Sequence, residues 1–239
     1  MNQSSVIEKL HRVYTDFLAW KSAEFGKQPE QEIGGEWECN YAAMPEVWAA
    51  CFDFVQQIPA HEWQPEQAWQ LLYLTARDNE SEYIAGMLPE PALLRLCETY
   101  RQQAEYDAGW QLAVQLPRLS NQAVAWQWAE FFCNDPDEYT CRRALMVSGS
   151  LHAPHTERYA EHFWQRSIYR DVAGWDADEY QKIAVLQALA AAIFKLGQTR
   201  WASVFGTAGA GLGRWIGSFR LLQKRTAIFQ VAPTPLQAT

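Results

Sequence analysis

The chain has 239 residues, 49% hydrophobic and 20% charged, the ordinary balance of a soluble globular protein. A formal charge of -8 and a pI of about 5.2 speak against sequence-independent DNA binding, which needs a phosphate-neutralising surface, and suit a basic partner or simply solubility. Five cysteines (Cys39, Cys51, Cys97, Cys133 and Cys141) with no Cys-x-x-Cys pair predict no disulfide framework and a reducing, cytoplasmic home.

The polar start, Met1 to Ser5, leads directly into an amphipathic pattern, so no signal peptide is expected. Val6, Leu10, Val13, Phe17 and Leu18 fall on one face of a predicted helix over Val6–Phe25. Gly26 to Met44 contains a proline, a Gly-Gly pair and no steady period, and reads as a connection. Residues 1–44 are thus expected to form a helix and linker ahead of a larger domain over 45–225.

Prolines then punctuate helix starts: Pro45 before Glu46, Pro65 before Glu66, and Pro89 and Pro91 around Glu90. Proline suits a first turn because its missing N–H would be unpaired there, and glutamate suits the positive end of the helix dipole. Further helices are predicted over Glu46–Ile58, Pro65–Ala76, Glu80–Leu88, Pro91–Gln102, Ala104–Leu116, Asn121–Phe132, Asp137–Ser150, Thr156–Tyr169, Asp178–Leu196, Gln198–Phe205 and Leu212–Arg225. The longest nearly apolar run, Ile183–Phe194, is too short to span a bilayer and reads as a buried helix. No alternating run is long enough for a strand. The tail, 226–239, carries two prolines and little to bury, and is expected to be flexible.

A short phrase recurs along this succession: Asp78 then Tyr83 to Leu88, Asp107 then Trp110 to Leu116, Asp135 then Tyr139 to Leu145, and Asp176 then Tyr180 to Leu186. An acid is followed by an aromatic, then small and aliphatic residues closing on leucine. Recurrence at roughly 30–40 residues marks stacked helical hairpins. The aspartate caps the helix by accepting a backbone N–H bond, and the aromatic and leucine share a face that packs on the neighbouring unit.

The phrase from Asp135 to Leu145, in which Arg142, Arg143, Ala144 and Leu145 follow an acidic turn, resembles the second helix of a HEAT-type repeat. The phrase from Asp176 to Leu186 is similar, with Lys182 in place of arginine, while those at Asp107 and Asp78 are more divergent. The resemblance covers about Trp63 to Leu196. It implies an all-α fold, an α-solenoid of stacked antiparallel helix pairs.

Charge is unevenly spread. Beyond Leu186 the charged residues are Lys195, Arg200, Arg214, Arg220, Lys224 and Arg225, all basic, so the whole set of 28 acidic residues lies upstream. Two readings of the acidic turns follow: caps alone, or a ridge facing a partner. On the second reading Asp107, Asp135, Asp137, Glu138, Asp176 and Asp178 supply charge, Arg142 pairs with Glu138, and Trp126 or Trp128 supplies an aromatic anchor. These two tryptophans lie two apart and so face different sides of one helix; Trp110, Trp164 and Trp175 are further candidates for a concave binding face.

Other constellations carry less chemistry. His152, His155 and His162 match no metal-ligand spacing. The stretch Gly206 to Arg214 is glycine-rich but follows no strand and lacks a Gly-Lys-Ser/Thr ending. Ser148 and Ser150 lack a Gly-x-Ser-x-Gly elbow. No cofactor, metal or catalytic residue is expected. The function expected is a protein-binding scaffold, such as an inhibitor or immunity protein engaging a basic partner. The alternatives are a HEAT-like alkylpurine DNA glycosylase, which the acidic body disfavours, or an adaptor or lyase-type helper.

Overall fold

The computed structural model describes residues 3–29, 33, 37–105, 107–165 and 177–196, and these form ten α-helices with no strand among them. In chain order they are α1 (Gln3–Phe25), α2 (Met44–Gln57), α3 (Pro65–Arg77), α4 (Tyr83–Met87), α5 (Glu90–Gln102), α6 (Ala108–Gln115), α7 (Gln122–Cys133), α8 (Glu138–Ser150), α9 (Thr156–Gln165) and α10 (Ala177–Leu196). The helices predicted over Gln198–Phe205 and Leu212–Arg225, and the tail at 226–239, lie outside the described residues. One compact unit runs to Ala192; a second begins at Ile193, and only the end of α10 is described there.

The punctuation read from sequence operates locally. Proline stands in the first turn of α2, α3 and α5. The Asn121 carboxamide accepts from the N–H groups of Ala123 at 3.0 Å and Val124 at 3.3 Å, starting α7. Asp137 does the same for α8, accepting from Thr140 N–H at 2.7 Å. Such caps satisfy donors that have no partner inside the helix.

Helix α4 is shorter than the predicted Glu80–Leu88. The Asp78 carboxylate accepts from Ile84 N–H at 2.6 Å and from the Ser81 hydroxyl, and Glu82 takes a left-handed conformation with φ 51°. Residues 79–82 are therefore drawn into a turn around the carboxylate, and the helix starts only at Tyr83.

Val6, Leu10, Val13 and Phe17 are buried along one side of α1, which packs against both α2 and α3. The connection that follows also contributes to the core. Trp37, in a 3-10 turn over Trp37–Asn40, stacks on Trp20 with centroids 6.0 Å apart and 14° between planes, and Phe17, Phe25 and Tyr41 complete the cluster. Helix α1 and the turn at Trp37–Asn40 are thus packed together and, through Phe17 and Tyr73, onto α3.

Contacts run in two ways. Chain neighbours pack together, as in α1 with α2, α5 with α6, and α7 with α8; alternate helices also touch, α1 with α3 with α5, and α2 with α4 with α6 with α8. At Gly149 the backbones of α8 and α10 meet so closely that an added Cβ would lie 2.4 Å from the Ala188 carbonyl oxygen.

The leucines that close the first three phrases, Leu88, Leu116 and Leu145, are buried. Two expectations about the phrase are corrected. Leu186 is only half-buried, because Val185 and Leu189 occupy the inward face of α10 instead. The opening aromatics are not uniformly core: Trp110 is buried and Tyr139 half-buried, but Tyr83 is 51% exposed and Tyr180 57%. Among the described residues no helix is long and apolar enough to cross a membrane.

Candidate functional site

An open concave surface is made by α2 and α4. Helix α2 has two apolar faces: Val47, Ala50, Cys51, Phe54 and Val55 point into the core, while Pro45, Trp48, Ala49 and Phe52 recur at helical spacing on another side. Together with Tyr83 this second face lines a hollow of about 300 Å³. Phe52 is 46% exposed, and the Trp48 and Tyr83 rings lie 5.3 Å apart, tilted by 42°. Four aromatics among the described residues are large and exposed, and two of them, Phe52 and Tyr83, sit here.

The indole is held from behind: Trp48 Nε1–H donates to Asp78 at 2.9 Å. Asp78 thereby positions both aromatic walls, through the Trp48 side chain and through the start of α4. Burial raises its carboxyl above the ordinary range, against the lowering effect of the hydrogen bonds it accepts. A second hollow, of about 160 Å³, shares Trp48 and is lined by Glu38, Met44, Arg77, Asp78, Glu80 and Ser81.

Arg77 is 1% exposed. Its guanidinium donates to Glu105 at 2.6 Å, lies 3.7 Å from Glu38, and stands over the Tyr73 ring at 5.2 Å. A buried cation is tolerated only with such compensation. The ion cluster ties the 3-10 turn at Glu38, the end of α3 and the turn before α6 into one piece.

The residues singled out from sequence are distributed as follows. Asp135 accepts from Tyr100 Oη–H at 2.9 Å and from Asp137 N–H at 2.9 Å, Asp137 caps α8, and Glu138, 8% exposed, accepts from Arg142 Nε–H at 3.1 Å. Asp107 precedes α6 in a left-handed conformation, φ 67°, and its carboxyl does not cap that helix. Burial pushes it up to about 6, opposed chiefly by Arg77 and reinforced by Asp137. Asp178 falls in the first turn of α10, and Asp176 lies outside the described residues. Trp128 is buried against Phe131 and Phe132 with Arg101 over its ring, whereas half-buried Trp126 donates its Nε1–H to Leu151 C=O at 3.1 Å.

Three of the recurring phrases are joined at their aromatics. Trp110 meets Tyr139 edge-on at 5.2 Å; Arg143 lies 5.4 Å from the Trp110 centroid and 5.8 Å from Tyr139; and Arg142 lies 4.8 Å from Tyr139 and 5.6 Å from Tyr180. The phrase therefore places arginines between rings, a cation–π contact of about 0.5–2 kcal/mol each by general measure.

Sequence reading passed over one contact chain. Ser148 Oγ lies 3.2 Å from His155 Nε2 and 3.6 Å from Cys133 Sγ, and His155 Nδ1 lies 4.0 Å from Glu130. The order of groups is that of a nucleophile, base and carboxylate, but the Ser148 hydroxyl is fully buried and donates to the Ala144 carbonyl at 2.9 Å. Burial also lowers His155, with Glu130 opposing and Arg158 adding to the effect. The chain of contacts fastens His155, just before α9, to α8. Among the described residues, no three metal-ligating side chains come together.

Trp48 and Phe52 were also passed over, having been read only as part of a helix. The available signal was the surplus apolar face of α2, since a helix buried on one side does not require Pro45, Trp48 and Phe52 on another. Fold and surface together define an all-helical protein with an open aromatic hollow beside buried carboxylates. Compared with protein-family models, curated proteins and solved structures, the chain has no match.

Proposed function

We propose that this protein is a protein-recognition scaffold, an α-solenoid of HEAT-like helical hairpins, whose contact site is the α2–α4 hollow and whose partner presents a basic segment. The observation that carries the reading is the exposure of Phe52 and Tyr83 around a concave surface otherwise lined by Pro45, Trp48 and Ala49. Exposed aromatics gathered in a hollow are costly in water and are the usual anchors of protein interfaces. The contacts among α2, α4, α6 and α8 support the stacking. The charge of -8 supports the sign of the partner, and an inhibitor or immunity protein for a basic target is one use of such a scaffold.

In this reading Asp107, Asp135, Asp137, Glu138, Asp176 and Asp178 act through the field of the acidic body rather than by direct grip. Asp135 and Glu138 are buried and hydrogen-bonded within the chain. The test is fluorescence anisotropy with a labelled amphipathic peptide of alternating lysine and leucine, and with its glutamate–leucine counterpart. The basic peptide is expected to bind, and Phe52→Asp or Tyr83→Asp to weaken it at least tenfold. Equal binding of the acidic peptide, or unchanged binding by both variants, overturns the reading.

A further inference from the structure

The α2–α4 hollow has a chemical bias as well as a shape. Its lining residues, Pro45, Trp48, Ala49, Phe52 and Tyr83, include no charged side chain. The Trp48 and Tyr83 rings, tilted by 42° with centroids 5.3 Å apart, form two of its walls, and Phe52 supplies a third aromatic wall. Immediately behind Trp48 lies the second hollow, with the carboxylates Glu38, Asp78 and Glu80 in its wall. Its one cation, Arg77, is engaged by Glu38 and Glu105.

Aromatic faces carry negative quadrupole charge and attract cations. The Trp48 N–H donates to Asp78 at 2.9 Å, which pushes electron density into the indole and strengthens that attraction. A neutral aliphatic tip would use the apolar walls but gain nothing from the carboxylates behind them. A guanidinium is planar and gains most by stacking flat on a ring. A compact alkylammonium suits a hollow with several aromatic walls.

We infer that the hollow is an aromatic cage for a lysine side chain of the partner protein, with the alkylammonium held over the Trp48 and Tyr83 rings and Phe52 against its methylenes. This rests on the proposed recognition function and specifies what the hollow reads. Lysine methylation spreads the charge over a larger, less hydrated ion and so tightens the fit.

The test uses the full chain and three small probes: N-acetyl-lysine methylamide, its trimethyl-lysine form, and N-acetyl-norleucine methylamide as the uncharged isostere. Binding is read from the indole N–H resonance of Trp48, assigned with Trp48→Phe. The trimethyl form is expected to bind roughly threefold to thirtyfold more tightly than the norleucine compound, with lysine between them. Tyr83→Leu, at an exposed position, should weaken the trimethyl probe by about the same factor, Phe52→Leu, which keeps an apolar contact for the methylenes, should weaken it less, and Tyr83→Phe, which keeps the ring, should not weaken it. Circular dichroism of each variant separates loss of the cage from loss of fold.

If the norleucine compound binds as tightly as the cations, the hollow is merely apolar and the cage is overturned. If no probe moves Trp48 while the lysine–leucine peptide still binds through Phe52, the cage is overturned and the recognition function stands. If the cationic probes bind but the peptide does not, the cage is supported and the larger function falls.

Discussion

Asp107 illustrates how a turn residue acquires a pH signature. Its carboxyl is pushed up to about 6, chiefly by burial, with Asp137 adding and Arg77 opposing. A carboxyl raised above its unfolded value of about 4 makes its full contribution to stability only when protonated. That contribution is present below about pH 4 and is lost as pH rises through about 6. Asparagine keeps the shape and tolerates the left-handed backbone, φ 67°. Asp107→Asn is therefore expected to be more stable than the parent at pH 7, by about 1 kcal/mol after allowance for solvent screening. The gain should shrink below pH 6 and vanish near pH 4. Urea titrations at several pH values would check this; a gain independent of pH would assign it to something other than the carboxyl.

At the scale of the element, the phrase leucines are not equivalent. Leu145 is 1% exposed, whereas Leu186 is half-buried on α10. Leu145→Ala should cost about 2–5 kcal/mol, the range for a fully buried leucine. Leu186→Ala should cost less than about 2 kcal/mol, since less apolar area leaves water there. Equal losses in chemical denaturation would mean that the inward face of α10 is misassigned.

The crossing of α8 and α10 supplies a second test. Alanine is the better helix former by about 1 kcal/mol, so propensity alone predicts that Gly149→Ala stabilises. The methyl would instead meet the Ala188 backbone, 2.4 Å from its carbonyl oxygen and 2.6 Å from its Cα, and backbone cannot swing aside like a long side chain. A net loss of about 1–3 kcal/mol is expected. A rise in melting temperature would show that the two helices separate freely.

For the whole molecule, charge acts at a distance. An acidic excess confined to Met1–Leu186 gives that part a field of one sign, which speeds encounter with a positive partner and repels nucleic acid. Stopped-flow association of the lysine–leucine peptide should slow severalfold between low and physiological salt, where screening acts over about 8 Å. Dissociation should change less, because the aromatic contacts of the hollow are short-range. A rate indifferent to salt would remove charge from the account of recognition.

Sequence alone determined the helical class and, to within two residues, the starts of α2, α3, α5 and α7 to α10, though not those of α1, α4 and α6, because proline position, capping residues and 3.6-residue periodicity act within a few residues along the chain. It also marked Asp78, Asp135 and Asp137 as turn residues and Leu88, Leu116 and Leu145 as core. What it left undecided depends on neighbours distant in the chain. Asp78 delays α4 because it bonds forward to Ile84 and across to Trp48, and no local propensity encodes that competition. Tyr83 and Trp110 hold equivalent places in the phrase, yet one is open and the other buried. The difference is what covers each: Trp110 lies under Tyr139 and Arg143, while Tyr83 meets Trp48 at the rim of a hollow. Periodicity decides which residues share a face, and only tertiary packing decides which of those faces is closed.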